Sequence, residues 1–253
     1  METLTKSKSS SSGGGIVDTV KTVLYAIIIA LFVRTVAYEP FNIPSGSMVP
    51  TLLVGDYLFV SKFSYGYSRY SLPFGLPLIP GRIFFHQPER GDVAVFKLPK
   101  DNSTDYIKRV IGLPGDRIQV KNGLLYINDV PVKRERIEDY IYREGPNPFR
   151  AAQYIETLPN GKKHRIIELS DNAPFDNTPV FEVPPGHYFM MGDNRDNSLD
   201  SRAPEGGVGY VPAENLVGRA EFIFFSTDGA ARLWELWKWP FTIRYDRLLD
   251  GIH

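Results

Sequence analysis

The chain has no cysteine. Disulfides, thiolate catalysis and cysteine-ligated metal sites are therefore excluded, although lack of cysteine does not fix a compartment. It also lacks net charge: 29 basic and 29 acidic residues cancel. No global field points to nucleic acid, and no nucleic-acid-binding motif is present. Histidine is scarce, with only His86, His164, His187 and the terminal His253. None sits in a recognisable Ser-His-Asp context. Long apolar runs are missing too, with one exception.

That exception spans Ile16 to Tyr38, with its apolar heart at Val23–Val33 between Lys21 and Arg34. It reaches the ~20 residues of a spanning helix if both basic side chains snorkel to the headgroups. A cleavable signal peptide would end in an Ala-x-Ala-like site, whereas Arg34-Thr35-Val36-Ala37-Tyr38-Glu39-Pro40 follows here. The expectation is an uncleaved single-pass anchor at 16–38. Lys6, Lys8 and Lys21 before it, against Arg34 after it, put the N-terminus in the cytoplasm and the rest outside. Residues 1–15, rich in Ser and Gly, read as a flexible tail.

Beyond the anchor the pattern is mainly β. Asp56–Val60, Asp92–Phe96, Arg117–Val120 and Gly123–Ile127 are short β-branched and aromatic runs. Asn122-Gly123 and Asn160-Gly161 each sit between two such runs and predict hairpins. Residues 132–183 are more polar and proline-interrupted. They read as a smaller subdomain inserted into an antiparallel-sheet catalytic domain made of 39–131 and 184–253. Two apolar stretches, Leu72–Pro80 and the tryptophan-rich Leu233–Phe241, fit either the membrane interface or the protein's own core.

Three segments carry chemistry. Ile43-Pro44-Ser45-Gly46-Ser47-Met48 places a serine in a turn that Gly46 lets bend sharply, just past the anchor. A serine hydroxyl needs a base to take its proton. Lys108, in the apolar context Tyr106-Ile107-Lys108-Arg109-Val110-Ile111, is the candidate. Burial favours the neutral amine, and a pKa lowered by ~3 corresponds to roughly 4 kcal/mol. Taken alone, Lys108 would read as a surface lysine at a strand end, where most lysines lie. The third segment, Gly192–Arg202, alternates charged residues with Asn and Ser. Its Asp-x-Asn-x-Asp spacing is not an EF-hand: Ser198 and Pro204 stand where Gly and Glu are required.

Together, in this order and beside an anchor, the segments resemble the bacterial type I signal peptidases, membrane-bound Ser-Lys serine proteases. The resemblance runs from about Arg34 to the end of the chain. It implies Ser47 as nucleophile and Lys108 as general base, with Ser45 and the Ser47 N–H as the oxyanion hole. It further implies that Ser198 hydrogen-bonds and orients Lys108. Asp193, Asp200 and Arg202 become supports, with Arg109 pairing Asp193. Substrate-binding positions would be Phe41, Ile43, Pro44, Met48, Leu52, Leu58, Val95, Tyr106 and Ile107. The implied substrates are secretory preproteins cut after Ala-x-Ala-like motifs through an acyl-enzyme, at the outer face of the bacterial cytoplasmic membrane. No metal or cofactor and no nucleic acid is implied; the partners are signal peptides and membrane lipid, and a monomer suffices. Some relatives have two spanning helices before the serine, where this chain has room for one. Two rival readings remain: a self-cleaving Ser-Lys repressor, which would need a DNA-binding domain, and a tethered β domain that only binds a partner.

Overall fold

Apolar side chains cover every face of the N-terminal helix α1, Gly14–Val36, and its described residues are almost all exposed. A helix packed on a soluble core would instead bury one stripe. At 23 residues it spans about 35 Å, enough for a ~30 Å hydrocarbon core. The helix thus fits a membrane anchor. The computed structural model describes residues 14–72, 75–142, 149–203, 206–230, 235 and 237–252. The expected tail falls outside these except for Gly14 and Gly15, which belong to the helix. Tyr38, expected as the anchor's last residue, instead opens the first strand.

The rest is mainly antiparallel β. A seven-stranded sheet joins β1 (Tyr38–Asn42), β2 (Asp56–Ser61), β5 (Val93–Lys97), β6 (Asp105–Gly112), β15 (His187–Met191), β16 (Tyr210–Pro212) and β17 (Leu216–Ser226). Its spatial order is β1-β2-β17-β5-β6-β15-β16. The last strand in sequence therefore lies between the serine side and the lysine side. Strand β5 is covered on both faces: Val93 and Val95 enter one core cluster, Ala94 and Phe96 another.

Short β3 (Tyr67–Ser68) and β4 (Arg82–Ile83) pair with each other. A second sheet holds β7 (Arg117–Lys121), β8 (Leu124–Ile127), β9 (Val130–Pro131) and β14 (Phe181–Glu182). Its β7–β8 hairpin turns at Asn122 and Gly123, with φ of 48° and 73°. Positive φ at both central residues is why Asn-Gly stands there. A third sheet comprises β10 (Lys133–Arg136), β11 (Tyr140–Tyr142), β12 (Phe149–Thr157) and β13 (Lys163–Glu168). Here β12 takes β13 on one edge and β10 then β11 along the other. The Asn160-Gly161 turn closes the β12–β13 hairpin.

Candidate active site

Ser47 lies in a single 3-10 turn, Gly46–Met48, leaving β1. Met48 and Leu52 are wholly buried beneath it, in a cluster with Ile43, Leu58 and Val95. That anchoring fixes the turn against the sheet. A second clamp comes from a distant segment. Asn194 donates its backbone N–H to the Ser47 carbonyl at 3.1 Å and its side-chain amide to the Gly46 carbonyl at 2.9 Å. The same amide donates to the Tyr142 hydroxyl at 2.9 Å.

Lys108 sits in β6 and is 4% exposed. Its Nζ donates to Ser47 Oγ at 2.7 Å and to the Ile107 carbonyl at 3.0 Å. The Tyr106 ring centroid is 5.6 Å from Nζ. Burial lowers the pKa of this amine from 10.5 to about 8, against the upward pull of Asp200 and Asp193. A group balanced near neutrality can both accept and return a proton. Ser45 Oγ stands 3.4 Å from Ser47 Oγ, on the same side of the turn's opening.

Two buried ion pairs frame this dyad. Arg109 forks onto Asp193, Nε to Oδ1 at 2.8 Å and Nη2 to Oδ2 at 2.7 Å. Arg202 grips Asp200 at 3.0 and 2.9 Å, and Asp200 also accepts the Gly192 N–H at 3.0 Å. Burial alone would raise both carboxyls; the guanidinium partners outweigh it and hold them below their usual range. Fork geometry satisfies both oxygens of each carboxylate, which is what buried charge requires.

Ser198 departs from the expectation. Its hydroxyl is buried and close to the dyad, yet it has no hydrogen-bond partner, and Lys108 is not bonded to it. The reason is local: Nζ is turned to Ser47 and Ile107. Gly192 explains how Ser198 comes so near. A Cβ there would lie 2.3 Å from Ser198 Oγ and 2.5 Å from the Ser47 carbonyl, so only glycine allows the two segments to touch.

The cleft over the dyad has a volume of about 600 Å³. Of the positions expected to bind substrate, Pro44, Tyr106 and Ile107 line it. Ile43, Met48, Leu52, Leu58 and Val95 do not reach its surface; they are core residues at 3% exposure or less. Phe41 packs against that core and lines a neighbouring groove. Sequence pattern cannot separate an apolar wall from the apolar floor under it. Unforeseen lining comes from Phe175, Asp196, Asn197 and Leu199. One edge of β6 is open beside the cleft: Asp105–Lys108 pair with β5, while β15 pairs only with Arg109, Val110 and Gly112.

Glu156, His164 and Tyr142 also escaped the sequence reading. Glu156 is fully buried and takes the Arg195 guanidinium, with Nη1 to Oε1 at 3.0 Å. His164 Nε2 lies 3.3 Å from Glu156 and 4.0 Å from Asp193, and does not bond Ser47. The only signal for Glu156 and His164 was polarity inside hairpin-forming runs, and Tyr142 had none. Among the described residues no cluster of His, Asp or Glu could hold a metal ion.

Residues 16–225 match the family described as signal peptidase, peptidase S26. Signal peptidase I of Rickettsia conorii is 48% identical over 211 residues, covering 80% of this chain and 77% of that protein. Signal peptidase I of Rickettsia rickettsii is 47% identical over 246 residues, covering 90% of each. A crystal structure of a signal peptidase I from Enterococcus faecalis shares 26% identity, with a TM-score of 0.31, covering 53% of this chain and 97% of that one. By the extent of the family match and the identity to these relatives, the chain belongs to the signal peptidase family, peptidase S26, serine endopeptidases that remove signal peptides.

Proposed function

We propose that Ser47 and Lys108 are the nucleophile and general base with which this protein cuts secretory preproteins after Ala-x-Ala-like motifs. The observation that carries the reading is the 2.7 Å contact between Ser47 Oγ and the buried Nζ of Lys108. When Lys108 is neutral, the hydroxyl donates to its lone pair. Oγ then attacks the scissile carbonyl carbon as its proton passes to Nζ. The carbonyl oxygen becomes an oxyanion, facing the Ser45 hydroxyl and the Ser47 N–H. As the C–N bond breaks, Nζ returns the proton to the leaving amine of the mature protein. A water then gives a proton to Nζ and attacks the ester carbon; as the bond from that carbon to Ser47 Oγ breaks, Nζ returns the proton to Oγ and the signal peptide leaves as a free acid.

Around the dyad, the Asp193–Arg109 and Asp200–Arg202 pairs support the geometry. Ser198, unpartnered at the cleft wall, is available to receive Nζ when Ser47 is acylated. The preprotein joins the free Asp105–Lys108 edge as an added strand, taking register from backbone hydrogen bonds. Small residues are selected because Ile43, Met48, Leu52, Leu58 and Val95 form a closed floor beneath the cleft. No metal or cofactor enters the reaction.

The basic residues before α1 favour a cytoplasmic N-terminus and a catalytic domain at the outer face of the bacterial cytoplasmic membrane. The partners are preproteins and lipid, with no nucleic acid and no second subunit. Incubating detergent-solubilised full-length protein with a preprotein carrying an Ala-x-Ala site tests the whole reading. Cleavage at that site, lost in folded Ser47→Ala and Lys108→Ala variants, is the expected result. Variants that cut like the wild type would overturn the residue assignment.

A further inference from the structure

The loop Gly192–Arg202 touches the nucleophile turn on one side and the β10–β13 sheet on the other. On the nucleophile side, Asn194 holds the Gly46 and Ser47 carbonyls. On the sheet side, the contacts are numerous. The Ile167 N–H donates to the Asp193 carbonyl at 3.0 Å, and Ile167 bridges Asn194 in parallel. The Leu169 and Ser170 N–H groups donate to Asp196 Oδ2, at 2.6 and 3.0 Å. Beneath these lies the forked Glu156–Arg195 pair, with His164 against the same carboxylate. Glu156 and Arg195 are 0% and 2% exposed.

Arg195 opens the 3-10 turn Arg195–Asn197, whose end is Ser198. Its carbonyl also accepts from Arg202, the partner of Asp200. The Arg195 backbone thus belongs to the active-site wall while its side chain reaches away, into the third sheet. Stability alone does not explain the pair, since well-packed apolar side chains in place of both partners would often serve as well, although removing one partner strands a buried charge. What a fork does supply is a fixed distance and direction between two backbones.

Resting on the Ser-Lys reading above, we propose that Glu156 is a positioning residue: through Arg195 it sets the placement of the Asp196–Leu199 cleft wall and, through Asn194, of the Ser47 turn. The third sheet is then part of the catalytic apparatus and not a passive insertion. Glu156 touches neither substrate nor dyad. Loss of its fork lets the wall and the turn drift together, so the chemical step suffers more than substrate capture.

The test uses full-length detergent-solubilised protein and the Ala-x-Ala preprotein, with Glu156→Gln, Arg195→Lys and the double variant. Glu135→Gln, on an exposed pair of the same sheet, is the control. Each variant's folded fraction is fixed by near-UV circular dichroism before kinetics. Glu156→Gln is expected to lower kcat by roughly 10- to 100-fold, the scale of a ~1 Å misplacement, with KM within about twofold. Arg195→Lys keeps the charge but loses the fork and should fall similarly. The double variant should be no worse than the weaker single, because one linkage is being broken. Unchanged kcat in folded Glu156→Gln overturns the proposal, as does a change confined to KM. If Glu156→Gln does not fold, Arg195→Lys decides by the same two criteria. Wild-type cleavage and its loss in Ser47→Ala test the Ser-Lys reading separately, whatever Glu156 does.

Discussion

Two lysines lie buried in this protein in different company. Lys62, 3% exposed, meets Glu39 at 2.9 Å and the Ser71 carbonyl at 2.9 Å, near the end of α1. Lys108, 4% exposed, meets a hydroxyl and a carbonyl, and the nearest carboxylates are already claimed by Arg109 and Arg202. Burial is the same; the partner differs. At Lys108 a hydroxyl in contact leaves the cost of burying charge largely unanswered. The contrast shows that depth alone does not make a base. A base needs depth with the nearby carboxylates already paired elsewhere, as Asp193 and Asp200 are with Arg109 and Arg202.

The harshest tests of that contrast act on the dyad itself. Lys108→Ala and Ser47→Ala should each reduce preprotein cleavage by roughly 10⁴-fold in folded protein. Lys62→Met, in the same assay, should leave cleavage within about twofold. Equal losses at both lysines would erase the distinction. Next in size is Ser45→Ala, which removes one oxyanion donor and should lower kcat by ~10²- to 10³-fold with little change in KM.

The pH dependence sharpens the comparison further. Lys108 acts only when neutral, so kcat/KM should rise about tenfold per pH unit below about 8 and level off above it. Asp200 pulls the Lys108 pKa up, so Asp200→Asn should move that rising limb to lower pH. Lys62→Met should not move it. The same burial has a stability signature. Between about 8 and the ordinary 10.5, the unfolded state holds a proton at Lys108 that the folded state lacks. Stability from this group therefore rises with pH through that window, and Lys108→Met should abolish the rise. The smallest effect belongs to Lys62→Met, expected to lower unfolding free energy by roughly 1–3 kcal/mol through loss of the contacts to Glu39 and the buried Ser71 carbonyl, while Arg34 still pairs Glu39.

Sequence alone could not have drawn this distinction. Lys62 follows Phe59-Val60-Ser61 and precedes Phe63, a setting as apolar as that of Lys108. Lys108 stood out only because Ser47 and Gly192–Arg202 accompany it. The hairpins at Asn122-Gly123 and Asn160-Gly161 were legible because turn chemistry is local. Partners were not. Nothing in Leu216–Ser226 announces that it lies between β2 and β5, and nothing near Glu156 names Arg195. Five of the nine expected substrate-binding residues were floor, because an apolar side chain packed beneath a turn or into a strand covered on both faces reads in sequence like one that faces the cleft.

The place of β17 bears on synthesis. The serine side of the main sheet ends at β2 and the lysine side begins at β5; the strand that joins them is the last of the seven to be translated. Every residue of the dyad and its loop precedes it in the chain. A nascent polypeptide ending before Leu216 would carry all of these groups and still lack the seam between the two halves. Assembly of the two halves around the cleft therefore waits on the segment Leu216–Ser226.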